Sequence, residues 1–119
     1  MKLILKDFRP PTWNSFYAGK HWSVRQKKAK EIQDYICAEI KNHKFEPIEL
    51  NGKKARFIFG CYLKGKGIDA DNICVKPIID GFKLAGIIED DKPAIIEAIE
   101  VASFAKCMRD ELVIDLCVF

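Results

Sequence analysis

Asp69 and Asp71 are separated by one alanine, Asp90 and Asp91 are adjacent, and Lys76 lies between the two groups. In an extended segment residues i and i+2 point to the same side, so Asp69 and Asp71 can present two carboxylates to one cation. Hard Mg²⁺ takes oxygen ligands, usually one or two protein carboxylates completed by waters and phosphate oxygens, and Asp91 would complete the set across an intervening helix. Lys76 adds a positive point charge for a phosphate. The EF-hand pattern is excluded, because Ile73 and Cys74 stand where its loop needs Asp or Asn and then Gly. No P-loop, GxGxxG or GxSxG signature occurs. Taken singly, Asp71, Asn72 and Asp90 fit structural duty equally well, since such residues cap helices and form turns. As a set, with a basic amino-terminal half able to hold phosphates, they fit a metal-dependent phosphodiester site.

The elements that must position these residues follow from the hydrophobic pattern. Lys2 to Phe8 reads as a strand stopped by Pro10-Pro11, and Thr12 to Lys20 as a loop. Ser23 and Gln26 fit a capping box, and Ala29, Ile32, Ile36 and Ile40 recur at helical spacing, which predicts a helix over 24–42. After the Asn51-Gly52 turn, Ala55, Phe57, Phe59 and Cys61 alternate as in a strand that ends at Lys64-Gly65-Lys66-Gly67. A second helix is expected over Pro77–Ala85, with Pro77 in its first turn and Gly86 as its C-terminal cap. A turn at 89–92 leads to strands over 94–102 and 111–118. The order β-α-β-α-β-β predicts an α+β fold in one domain over 1–119: a small mixed sheet with two main helices packed on it.

The formal charge of +3 conceals an asymmetry. Residues 1–67 hold fifteen Lys/Arg against six Asp/Glu, whereas residues 68–100 hold three against eight. Clustered cations among Lys20, Arg25, Lys27, Lys28, Lys64 and Lys66 are the electrostatic footprint of a polyanion-binding face, although a solvated lysine-rich surface would look the same in composition. Trp13, Phe16, Tyr17 and Trp22 suit base stacking or, more commonly, core packing. The five cysteines form no C-x-x-C pair and read as buried reduced thiols, which favours the cytoplasm. No apolar run approaches the roughly 18 residues of a membrane span.

Three segments carry a resemblance that covers nearly the whole chain. Asp69-Ala70-Asp71-Asn72, then Lys76-Pro77-Ile78-Ile79-Asp80-Gly81, then Ala85-Gly86-Ile87-Ile88-Glu89-Asp90-Asp91 is similar to the signature of the RusA family of Holliday junction resolvases. The opening Arg9-Pro10-Pro11-Thr12-Trp13-Asn14 also resembles that family's opening. The resemblance implies a homodimeric, Mg²⁺-dependent endonuclease that resolves four-way DNA junctions by paired, symmetric cuts. It implies Asp69, Asp71 and Asp91 as metal-binding catalytic carboxylates and Lys76 as a stabiliser of phosphate charge. Asp80 would orient the lysine and Asp90 would form the turn. Asn14, Lys20, Arg25, Lys27, Lys28, Lys64 and Lys66 would face the DNA. One departure is visible: three residues separate Asn72 from Lys76 where the family commonly has two. A bulge at Ile73-Cys74-Val75 would keep Pro77 in the first helical turn, with the Lys76 ammonium within about 4–6 Å of one of the carboxylates. Two rival readings stay open, a non-catalytic DNA-binding module and a metal-dependent hydrolase of forks, flaps or small phosphate esters.

Overall fold

The computed structural model describes residues 1–17 and 21–118. Strand β1 (Lys2–Lys6) is followed by a short helix α1 (Trp13–Tyr17) and the long helix α2 (Trp22–Asn42). Strand β2 (Ala55–Tyr62), a 3₁₀ turn at Ala70–Asn72, helix α3 (Lys76–Leu84), and strands β3 (Ile96–Phe104) and β4 (Glu111–Val118) complete the chain. The four strands form one mixed sheet in the order β1-β4-β2-β3, antiparallel except for the parallel β2–β3 pair. The class is therefore α+β with two main helices.

Strict alternation decides which face of the sheet is buried. Leu3 and Leu5, Phe57, Phe59 and Cys61, and Leu112, Ile114 and Leu116 are all almost fully buried, while their sequence neighbours remain at least partly exposed. Ile36 and Ile40 of α2 and Ile78 and Phe82 of α3 close this face. Phe82 meets Phe57 edge-on at 5.1 Å between ring centres and an angle of 82°, the arrangement that aromatic quadrupoles favour. Each such side chain contributes about 1.5–3 kcal/mol through burial.

Several boundaries differ from the sequence reading for physical reasons. β1 ends at Lys6, and β3 runs two residues later than expected, because it pairs with β2 from Ala55↔Ile96 onward. The expected loop after Pro11 contains α1, capped by Thr12, whose hydroxyl accepts from the Ser15 N–H at 2.9 Å. Helix α2 begins at Trp22, not at a Ser23 capping box, because the His21 ring accepts from the Ser23 N–H. At the other end of α3, Gly86 (φ +76°) donates to Lys83 O and Ile87 to Phe82 O. These are the two bonds of a Schellman cap.

Candidate active site on the β2–β3 crossover

Parallel strands cannot be joined by a tight turn, so the chain leaves β2, crosses through α3 and returns in β3. All four candidate catalytic residues, Asp69, Asp71, Lys76 and Asp91, lie on this connection, as does Asp80. Its departure point is fixed by contacts from three sides. The Ser103 hydroxyl of β3 donates to Ile68 O, immediately before Asp69. Arg9 pairs with Asp110 at 3.0 Å and reaches Gly67 O, while Asp110 also accepts from the Lys64 N–H at 2.9 Å.

The amino-terminal segment is tied to the acidic turn. Thr12 and Ile73 form an isolated antiparallel bridge, and the Cys74 N–H donates to Pro11 O at 2.8 Å. The Asn72 side chain accepts from the Asn14 N–H at 3.2 Å, which gives a free donor at the start of α1 a partner. This assigns Asn72 a structural role. It also leaves the Asn14 side chain exposed above the turn.

Asp69 and Asp71 are both exposed, but they do not present themselves as an extended i, i+2 pair. Only Asp69 is extended; the Asn72 N–H returns to Asp69 O at 2.9 Å and closes a 3₁₀ turn over Ala70–Asn72. With about three residues per turn, side chains two apart on such a turn diverge. Ile73 is extended, Val75 caps α3, and Pro77 falls within its first turn, so the extra residue before Lys76 is absorbed outside the helix.

Lys76, Asp80 and Lys83 occupy one face of α3 at spacings of four and three residues. After Gly86 the chain turns back, bringing Asp90 and Asp91 against that face. The Lys76 ammonium lies 3.7 Å from Asp80 and 3.7 Å from Asp91. Lys83 lies 3.9 Å from Asp80, 3.5 Å from Asp90 and 3.4 Å from Asp91. Three carboxylates thus share two ammonium groups. Burial opposes the Lys83 charge, but its hydrogen bond to Asp91 and the surrounding aspartates outweigh that and raise its pKa. Asp90 accepts the Asp91 N–H at 2.8 Å, and this bond, with Lys83 adding to it, holds the Asp90 carboxyl below its ordinary value.

Carboxylates have the oxygen chemistry that Mg²⁺ selects, but the geometry is not that of an assembled cage. Among the described residues no group of three or more His, Cys, Asp or Glu side chains is arranged to hold a metal ion. Asp91 is gathered with Lys76, Asp80, Lys83 and Asp90, whereas Asp69 and Asp71 make no ion pair among the described residues.

The expected DNA-facing cations Lys27, Lys28, Lys64 and Lys66 are exposed and Arg25 is half-buried; Lys20 lies outside the described residues. Lys28 sits 5.8 Å above the Phe16 ring. With Arg9, Pro10, Pro11, Thr12 and Ile68, Lys28 also lines a cleft of about 470 Å³ that ends one residue before Asp69. Phe16 belongs to the core, while Trp13 and Trp22 are exposed. Of the cysteines, Cys37, Cys61 and Cys74 are buried, but Cys107 and Cys117 are only partly so. Among the described residues no helix is long and apolar enough to cross a membrane. Sequence reasoning missed Lys83, whose spacing from Lys76 and Asp80 was a usable signal, and Arg9–Asp110, for which a separation of 101 positions left none.

Comparison of the chain with protein-family models, curated proteins and solved structures gives no match in any of the three.

Proposed function

We propose that this protein is a Mg²⁺-dependent endodeoxyribonuclease of RusA type that resolves four-way DNA junctions by symmetric phosphodiester cleavage in recombination and repair. The observation that carries the reading is the Lys76–Asp91 pair at 3.7 Å, on the same crossover as Asp69 and Asp71. In this reading Asp69, Asp71 and Asp91 would hold the metal, and the metal would supply Lewis-acid chemistry that activates a water and polarises the phosphoryl oxygens. Lys76 places positive charge beside the phosphate, and Asp80 orients it from one helical turn away. Lys83 keeps Asp91 against α3 until substrate and cation enter. The cleft lined by Arg9 and Lys28 leads the backbone to the acidic turn. Paired cuts require two identical sites, so the active form in this reading is a homodimer with a two-fold axis.

The dispersed carboxylates favour a second reading, a DNA-binding module without nuclease activity. Cleavage of a synthetic four-way junction, a fork and a linear duplex, each with and without Mg²⁺, separates the two. Mg²⁺-dependent symmetric nicking of the junction is expected. Tight junction binding with no cleavage would establish the module instead.

A further inference from the structure

Between α1, the first turn of α3 and the edge strand β3 lies a small open cleft of about 240 Å³, lined by Trp13, Val75, Lys76, Ile79, Asp91 and Ile99. Isolated exposed apolar residues are ordinary. Here two of them, Trp13 at 38% exposure and Ile99 at 46%, line the same cleft as the charged pair of the candidate site.

The volume falls below the roughly 300–1,000 Å³ of pockets that take drug-sized ligands, and so suits a single ring system better than a larger ligand. An indole offers a planar π-face on which any nucleobase can stack. Lys76 at the cleft favours a ring attached to a phosphate, while Asp91 disfavours a ring that is itself anionic. A neutral ring on an anionic backbone describes a nucleotide within a strand.

We infer that this cleft is a stacking subsite for one unpaired nucleobase of the strand to be cut, with Trp13 as the platform and Ile79 and Ile99 completing the apolar walls. The inference rests on the nuclease reading above and adds to it how the strand is held. The base must be unpaired, because a stacked base in a duplex has both faces covered; at a branch point the cost of exposing one is lowest. Stacking tolerates any base, so the subsite sets the position of the strand without selecting its sequence.

The chain has two tryptophans, so Trp22→Phe leaves Trp13 as the sole indole reporter. Without divalent metal, a four-way junction is expected to quench Trp13 emission. Abasic nucleotides placed one position at a time around the crossover should abolish that quench at one position while binding persists. Trp13→Ala should weaken junction binding by about 5- to 150-fold, and Trp13→Phe should restore most of it. Binding without quenching, or quenching indifferent to every abasic position, would overturn the subsite and leave the nuclease reading standing. No binding to any branched DNA would overturn the nuclease reading itself. The quenching measurement is made on the chain with native Trp13, so misfolding of the alanine variant would not blunt the test.

Discussion

The pairing of Lys76 with Asp91 gives each residue a separable consequence. Asp91→Asn keeps the size of the side chain and removes an anionic oxygen donor, so cleavage of the junction is expected to be lost while binding, read by gel shift, stays equal or tightens. Parallel loss of both would remove Asp91 from the chemistry. Asp69→Asn and Asp71→Asn are expected to behave likewise. On the proposed nuclease reading, Lys76→Met removes one charge from the transition state, and kcat on a single-turnover time course should fall by about 10²–10³, the usual effect of deleting one such donor. The thiols test burial directly. Burial pushes Cys61 up to about 11 from an ordinary value of 9.0, so its thiolate is scarce at neutral pH. Brief alkylation followed by mass spectrometry should label Cys107 and Cys117 and leave Cys37, Cys61 and Cys74 unmodified until the chain unfolds. Because the folded chain holds the Cys61 proton more tightly than the unfolded chain, the associated stability is fully present below about 9 and is lost as pH rises toward 11. A denaturation midpoint that rose over that interval would contradict the assignment.

The helices α2 and α3 pack closely at Gly81, where an added Cβ would lie 2.7 Å from Ile36 Cβ and 3.1 Å from Gln33 O. Ala is the better helix former by about 1 kcal/mol, but overpacking a closed core costs about 1–3 kcal/mol, and a backbone oxygen cannot rotate away. Gly81→Ala should therefore lower Tm by several degrees in calorimetry despite its higher propensity. Much at this scale was legible in the sequence. The period of Ile32, Ile36 and Ile40 located α2, the alternation from Ala55 to Cys61 located β2 and its buried face, and Pro77 and Gly86 marked the two ends of α3. Helix α1 was illegible because five residues are too few to display a period. The 3₁₀ turn at Ala70–Asn72 was illegible because it rests on backbone bonds from Asn72 to Asp69 O and from Ile73 to Ala70 O, and on the Asn72 side chain accepting from Asn14, none of which leaves a hydrophobic pattern. For the candidate site, the spacing of Lys76 and Asp80 was readable along one helix. The contact with Asp91 depends on the chain reversal after Gly86, and the contacts of Lys83 with Asp90 and Asp91 follow from that same return.

Across the whole molecule, cations dominate the amino-terminal half, and Lys28 with Arg9 lines the cleft leading to the acidic turn. Junction affinity measured across a salt series should then fall steeply, with a slope of about 0.9 per phosphate neutralised on duplex DNA. Replacing Lys64 and Lys66 together should reduce the slope and weaken all sequences alike; altered sequence preference at unchanged affinity would place them against bases instead. The sheet order adds a constraint on assembly. β4, the last of these four strands in chain order, sits between β1 and β2, with Lys2 paired to Asp115 and Phe59 to Ile114. A nascent chain on the ribosome can form α2 from local contacts as soon as it emerges, but it holds β1 and β2 apart with unpaired edges until β4 has emerged. Contacts between such distant residues are slow to form, and uncovered edges invite pairing with other chains. Translation stalled before Glu111 should therefore yield a helical but protease-sensitive nascent chain, whose resistance appears only after β4 has cleared the exit tunnel.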